Sequence, residues 1–460
     1  MTCMDKMFER TEIPYVGVGT STFQSEPLPR GREVLSDWGY WTARQRDIDQ
    51  RTLPHFSEKF LHYTEAAQRI GSNVFRFSLE PELVPEPGTF DERVMEEYAK
   101  RIVTIRLSGM EPFITLNHYT LPLYLTRLER YGGGGITRTG WTNPHVLDYF
   151  RTLTEGFIGF LSDSAKMRRV FRSMLVDEKT QERLLTEGVV HYVMTINEPL
   201  AAAEHGNVFG IFPPHRKGRI DLALRSLRRM VAAHDIAYAA IKEAAEKRGW
   251  KVNICIGYNW QYHTGPVGAF FRSVDHFVSD LFERDGRHTD FVGLQYYCWV
   301  NHLFSGKKEG ISGRYLDWGS VYPEGVFSVL TDMSARYEGK PIWITEFGFS
   351  DAYDLCRPRW ILETIRFARR AQIAGVPLEG VLLWTLAHNV EWARGMKEHF
   401  GFCDEAELPL LSPRYPSTKE ITSAEAFRTA AQFLRTPSTE AREEMQRASL
   451  RAAKQCGHAL

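Results

Sequence analysis

The sequence predicts an α/β fold, a single-domain (β/α)8 TIM barrel with loop insertions. Three observations carry that reading. Short apolar, β-branched runs recur eight times along the 460 residues, amphipathic segments of helical period lie between them, and the runs tend to end in polar side chains. In order the runs are "YVGVGTS" (15–21), "NVFRFS" (73–78), "PFITLNH" (112–118), "YVMTIN" (192–197), "VNICIGYNW" (252–260), "FVGLQYY" (291–297), "PIWITE" (341–346) and "GVLLWT" (380–385). Near-continuous apolar character suits strands of a parallel sheet buried on both faces. Strands alternating with helices make β-α units, and eight such units close a barrel.

The intervening segments support this. "SEKFLHYTEAAQRIG" (57–71) and "DERVMEEYAKRIVTIRLSG" (91–109) have helical period, and Gly109 stands where a helix C-cap belongs. "RYGGGGITRTG" (130–140) lacks the Lys-Ser/Thr of a phosphate-binding P-loop and is expected to be a mobile loop. The charged helical stretch 162–188 precedes the fourth strand, so it is expected on the face away from the active site. Its Arg168, Arg169 and Arg172 read as a solvated helix face. The barrel is expected over 1–435, followed by a helical or frayed C-terminal tail over 436–460.

Composition narrows the function. Lys+Arg and Asp+Glu are both 57, so no net field favours nucleic acid or an anionic membrane. No window reaches the roughly 18 apolar residues of a membrane span, and the N-terminus carries no apolar leader, so a cytoplasmic protein is the expectation. Six cysteines scatter without C-x-x-C spacing, which argues against a zinc site or a disulfide framework. No metal or organic cofactor is expected.

In a barrel of this kind the chemistry lies at the C-terminal ends of the strands. Here those ends bring Gln24, Arg76, Asn117-His118, Asn197-Glu198, Tyr296-Tyr297, Glu346 and Trp384. Two glutamates on separate strands suit glycoside hydrolysis, in which one carboxylate attacks or activates water and the other, protonated, serves the leaving oxygen. Unlike roles need unlike environments. Arg76 is placed to keep Glu346 ionised, while Glu198 has no cationic neighbour in sequence. A purely structural Arg76–Glu346 ion pair is the alternative reading, and the two are compatible.

At these residues the sequence resembles glycoside hydrolase family 1, the β-glucosidase-like retaining enzymes, from about residue 13 to about 435. "TINEP" (195–199) is similar to the family's acid/base segment and "ITEFG" (344–348) to its nucleophile segment. The resemblance implies Glu198 as acid/base, Glu346 as nucleophile, and Asn197 on the sugar 2-hydroxyl. "GTSTFQSE" (19–26) and "TLNHYTLP" (115–122) imply sugar binding by Gln24 and His118. "FRFS" (75–78) implies Arg76 beside the nucleophile, and "DFVGLQYY" (290–297) implies a Tyr297 hydrogen bond to it. "LLWTLAHNVEWARG" (382–395) implies Trp384 under the sugar and Glu391 and Trp392 on its outer hydroxyls.

The chain departs from the family at Pro81 and Tyr119, where tryptophan is usual, at Gln295 and Phe347, where asparagine is usual, and at Ala387 and His388. None removes a catalytic group, and together they bear on sugar preference and the leaving-group side. A carboxylate at Glu391 would repel a 6-phosphate. The expectation is therefore a retaining enzyme on unphosphorylated β-glucosides, or β-galactosides or β-mannosides, with carboxyl groups about 5–5.5 Å apart. A small-molecule β-glycoside or oligosaccharide is the expected partner. The alternatives are a non-catalytic sugar-binding barrel and a transglycosidase, which shares the same covalent intermediate.

Overall fold

The computed structural model describes residues 12–26, 35–43, 55–126, 139–265, 267–284, 289–301, 315–316, 319–402 and 420–457. Eight strands close a barrel: β1 (Tyr15–Gly19), β2 (Val74–Ser78), β3 (Glu111–Asn117), β4 (Tyr192–Asn197), β5 (Asn253–Asn259), β6 (Val292–Tyr296), β7 (Ile342–Phe347) and β8 (Leu378–Trp384). Each pairs in parallel with its sequence neighbours, and β8 pairs with β1. All eight expected strands form, each within two residues of its predicted limits at the N-terminal end. The glycine-rich loop lies largely outside the described residues.

Helices follow the strands because their sequences are amphipathic and capped. The helix Glu92–Leu107 starts at Asp91, whose carboxylate accepts from the amides of Arg93 and Val94. It buries Met95, Tyr98, Ala99, Ile102, Val103 and Ile105 and ends at Gly109, whose φ of +74° a side chain would resist.

The barrel interior is layered. Near the strand starts an apolar plug of Val74, Phe113, Tyr192, Met194, Cys255, Phe291, Trp343 and Leu382 fills the bore. Trp343 fits because residue 380 is glycine: a Cβ there would lie 2.2 Å from the indole. One layer higher the inward residues turn polar, and the site begins.

The 162–188 stretch is helical, as Ser164–Ser173 and Glu178–Glu187. Arg248 donates to Ser164, and Trp250 Nε1 donates to the Leu185 carbonyl, so the stretch packs where β5 begins, at the end away from the strand C-termini. Arg168 and Arg169 pair with Glu182 and Glu96 on the surface. Past the barrel, the helix Thr439–Gly457 buries Met445, Ala448, Ala452 and Cys456. Cys356 and Cys456 form a disulfide, which corrects the cysteine reading above. The two lie 100 residues apart with Cα atoms 4.7 Å apart, a proximity that sequence spacing does not reveal. Among the described residues no helix is long and apolar enough to cross a membrane.

Candidate active site

Strand register sets the polar layer. Gly19 of β1 stands level with Arg76 of β2 and with Trp384 of β8. Irregular register in β7 between Ile344 and Glu346 brings Glu346 level with Gln295 of β6. A similar shift in β4 sets Asn197 beside Gly257. Glu198 follows in left-handed backbone, φ +42°, and Pro199 then opens the helix Pro199–Glu204. Proline suits the first helical position because its fixed φ is already helical and it lacks only an N–H that would go unpaired there. The turn at Asn197-Glu198-Pro199 thus lifts one carboxyl out of the strand at the mouth.

Arg76, fully buried, is the hub. It donates to Glu346 Oε1 at 2.5 Å, Asn197 Oδ1 at 2.7 Å, Thr115 Oγ1 at 2.9 Å and the Thr345 carbonyl at 3.1 Å. Gln295 Nε2 donates to Glu346 Oε1 at 2.9 Å and to Asn197 Oδ1 at 2.6 Å. Tyr297 Oη donates to Glu346 Oε2 at 2.6 Å. Both oxygens of Glu346 are therefore held by donors. Asn197 Oδ1 is taken by two donors, and its Nδ2 lies 3.4 Å from His118 Nε2.

Glu198 is held differently. Its Oε2 accepts from the Tyr119 hydroxyl, and no cation touches it among the described residues. Burial, and then the charge of Glu346, push its carboxyl up to about 8. Burial also raises Glu346, but Arg76 and Tyr297 pull it back. The two interact and titrate as a pair, and the Arg76 contact on Glu346 favours the proton on Glu198.

Around the pair lie groups that match hydroxyls. Gln24 is buried, donates to the Val390 carbonyl at 2.8 Å, and leaves Oε1 without a partner among the described residues. His118 Nδ1 and Glu391 Oε2 are likewise unpartnered. Burial, then Arg76, hold His118 far below its ordinary value, so the ring is neutral. It lies nearly parallel to Trp384 and Trp392, centroids 5.5 and 5.6 Å away. Burial, then Glu346, push Glu391 up to about 8.

The expected site residues thus surround one mouth. The sequence reading named Gln295 and Tyr119 only as departures, yet both touch a catalytic-candidate glutamate. Their positions at a strand end and beside His118 were the available signal. It missed Glu80, a buried carboxyl that binds Thr120 and Ser78 at 2.9 Å and the Phe23 amide at 3.2 Å, joining the segments that carry His118 and Gln24. No group of three or more metal-ligating side chains is present among the described residues.

A barrel mouth holding two unlike carboxyl groups among hydroxyl-matching side chains defines an enzyme of the glycoside hydrolase class. Residues 271–405 match the model of glycosyl hydrolase family 1. The 1,4-beta-D-glucan glucohydrolase of Thermotoga neapolitana is 24% identical over 84% of this chain and 95% of its own length. A beta-galactosidase of Pyrococcus woesei is 24% identical over 88% and 94%. The beta-glycosidase of Thermosphaera aggregans shares the fold, with TM-score 0.74 at 21% identity over 96% of this chain and 99% of that one. These likenesses mark the chain as a glycoside hydrolase, similar to family 1 over residues 271–405.

Proposed function

We propose that the enzyme cleaves the β-O-glycosidic bond of unphosphorylated β-glucosides, with β-galactosides or β-mannosides as close competitors, by a retaining double displacement. The observation that carries this is the asymmetry of the pair. Glu346 has Arg76, Gln295 and Tyr297 on its oxygens, while Glu198 has a neutral hydroxyl and, among the described residues, no paired cation.

In the first step Glu346 attacks the anomeric carbon as Glu198 gives its proton to the glycosidic oxygen, and the aglycone leaves as an alcohol. In the second, Glu198 takes a proton from the water that attacks the same carbon, and the Glu346 ester bond breaks. Gln24, His118, Asn197, Glu391 and Trp392 would hold the sugar hydroxyls, and Trp384 would face the C–H side of the ring. Names of the relatives, a glucohydrolase and a galactosidase, support the gluco/galacto range. A 6-phosphate would bring charge near ionised Glu346 and would further oppose ionisation of Glu198 and Glu391, both already raised to about 8. We assign residues 1–435 to the barrel unit and 436–460 to a C-terminal extension.

Nitrophenyl α- and β-glycosides, plain and 6-phosphorylated, test the substrate reading, and NMR of the first-released anomer tests retention. Turnover of plain β-glycosides with the β-anomer formed first is expected. Faster turnover of 6-phosphoglucosides, or release of the α-anomer, would overturn the corresponding half.

A further inference from the structure

Both carboxyl groups accept from a tyrosine hydroxyl, but Glu346 also meets Arg76, so the tyrosine weighs more on Glu198, and it comes from the loop after β3. Tyr119 follows β3 in left-handed backbone, φ +69°, uncommon for a bulky residue. Its ring is gripped on several sides: Trp392 lies 4.8 Å away edge-on, Phe212 at 5.3 Å and His118 at 5.3 Å. Tyr119 is 7% exposed, so the hydroxyl has little freedom, and it meets Glu198 Oε2. The ring also lines a small pocket with Asp37, Trp38, Trp141 and Asn207 among others.

We propose that Tyr119 is a positioning residue for Glu198, its hydroxyl occupying Oε2 so that the acid's proton is carried on Oε1, toward the leaving oxygen. This rests on the acid/base reading of Glu198. A donor on Oε2 fixes the plane of the carboxyl group and which oxygen is free for proton transfer. The same donor serves both steps, since an O–H pairs with the carbonyl oxygen of the acid and with the carboxylate left after proton transfer.

The contact also tunes acidity. A donated hydrogen bond favours the ionised form. The other groups acting on Glu198 are Glu346 of β7 and Glu391 past β8, which oppose its ionisation, Arg76 of β2, which favours it, and Asn259 at the end of β5. The phenol of Tyr297 also feels the Glu198 charge. Burial and the neighbouring carboxylates push the Tyr119 phenol far up, so it remains a donor throughout the working range.

The test is Tyr119→Phe in the full chain. With 13C-labelled glutamate, and Glu198→Gln to assign the resonance, the Glu198 carboxyl of the variant should titrate higher by about one pH unit. The alkaline limb of kcat/KM on an alkyl β-glycoside should move up in step, and that activity should fall about tenfold, while an activated aryl glycoside, which needs little proton donation, stays within about twofold. KM should hold.

An unmoved Glu198 titration in folded Y119F, or equal loss on both substrates, would overturn the proposal. If Y119F does not fold, the second measurement is Glu198→Gln in protein labelled at tyrosine Cζ: the Tyr119 resonance should shift, and a stationary one overturns the contact. Absence of turnover by the unaltered enzyme would instead sink the acid/base reading, and the two titrations would still decide the pairing.

Discussion

Arg76→Met removes the cation that, among the described residues, pairs with the nucleophile candidate, while keeping much of the apolar volume of the side chain. Arg76 and Glu346 touch at 2.5 Å with both side chains almost wholly buried. With charge centres about 4 Å apart and an effective dielectric of about 20, the attraction is worth about 4 kcal/mol. At 1.36 kcal/mol per pH unit, that corresponds to about three units. Gln295 and Tyr297 remain as donors to Glu346, so a rise of about two units is expected.

The carboxyl then ionises later as pH rises. The acid limb of kcat/KM should move up by about two units, and activity at pH values below the parent's limb should fall by about a hundredfold. Stability should drop by about 3–5 kcal/mol, because Glu346 loses its buried partner. Arg76→Lys, which restores a point charge without the fork to Asn197, should recover part of the limb position. The assay is a pH–rate profile on an aryl β-glycoside alongside denaturant unfolding. An acid limb that stays in place while stability drops would show the ion pair to be structural only.

Three further outcomes are expected. Glu346→Ala should abolish turnover of every substrate, whereas Glu198→Ala should cost alkyl glycosides far more than activated aryl glycosides in the first step; equal losses in steady-state and burst kinetics would refute the assigned roles. Burial pushes the Glu80 carboxyl up to about 8 from 4.5. The unfolded chain therefore binds fewer protons than the folded one between those values, and stability falls as pH rises through that window. Glu80→Gln should flatten the decline of Tm between about pH 5 and 8, and an unchanged slope would count against this reading. Cys456→Ser opens a loop of 100 residues and should lower unfolding free energy by up to about 4 kcal/mol; a variant as stable as the parent would show that helix packing alone secures the C-terminus.

The strands were legible because a strand in a covered parallel barrel is apolar on both faces, a property of eight local segments that needs no knowledge of their neighbours. The two glutamates were legible for a related reason, since a carboxyl closing an apolar strand conflicts with its surroundings unless the chain has turned outward there. The partners of those glutamates were harder to read. Gln295 and Tyr119 stood out only as departures, and nothing local says that an amide on β6 spans Asn197 and Glu346, or that a phenol after β3 reaches a carboxyl after β4. Glu80 was missed because its partners are 2, 40 and 57 residues away.

By itself, then, the sequence determined the eight barrel strands, the end of the barrel where chemistry belongs, and which side chains stand there, but not the small second sheet of Tyr262–Thr264, Trp299–Asn301, Gly319–Ser320 and Tyr315–Leu316. Folding alone supplied the contacts that make the two carboxyl groups unlike. Burial and charge act through space, and the distances among Arg76, Glu346, Tyr119 and Glu198 exist only once eight strands share one register. The Cys356–Cys456 bridge has the same origin, because proximity across 100 residues is a property of packing and not of spacing along the chain.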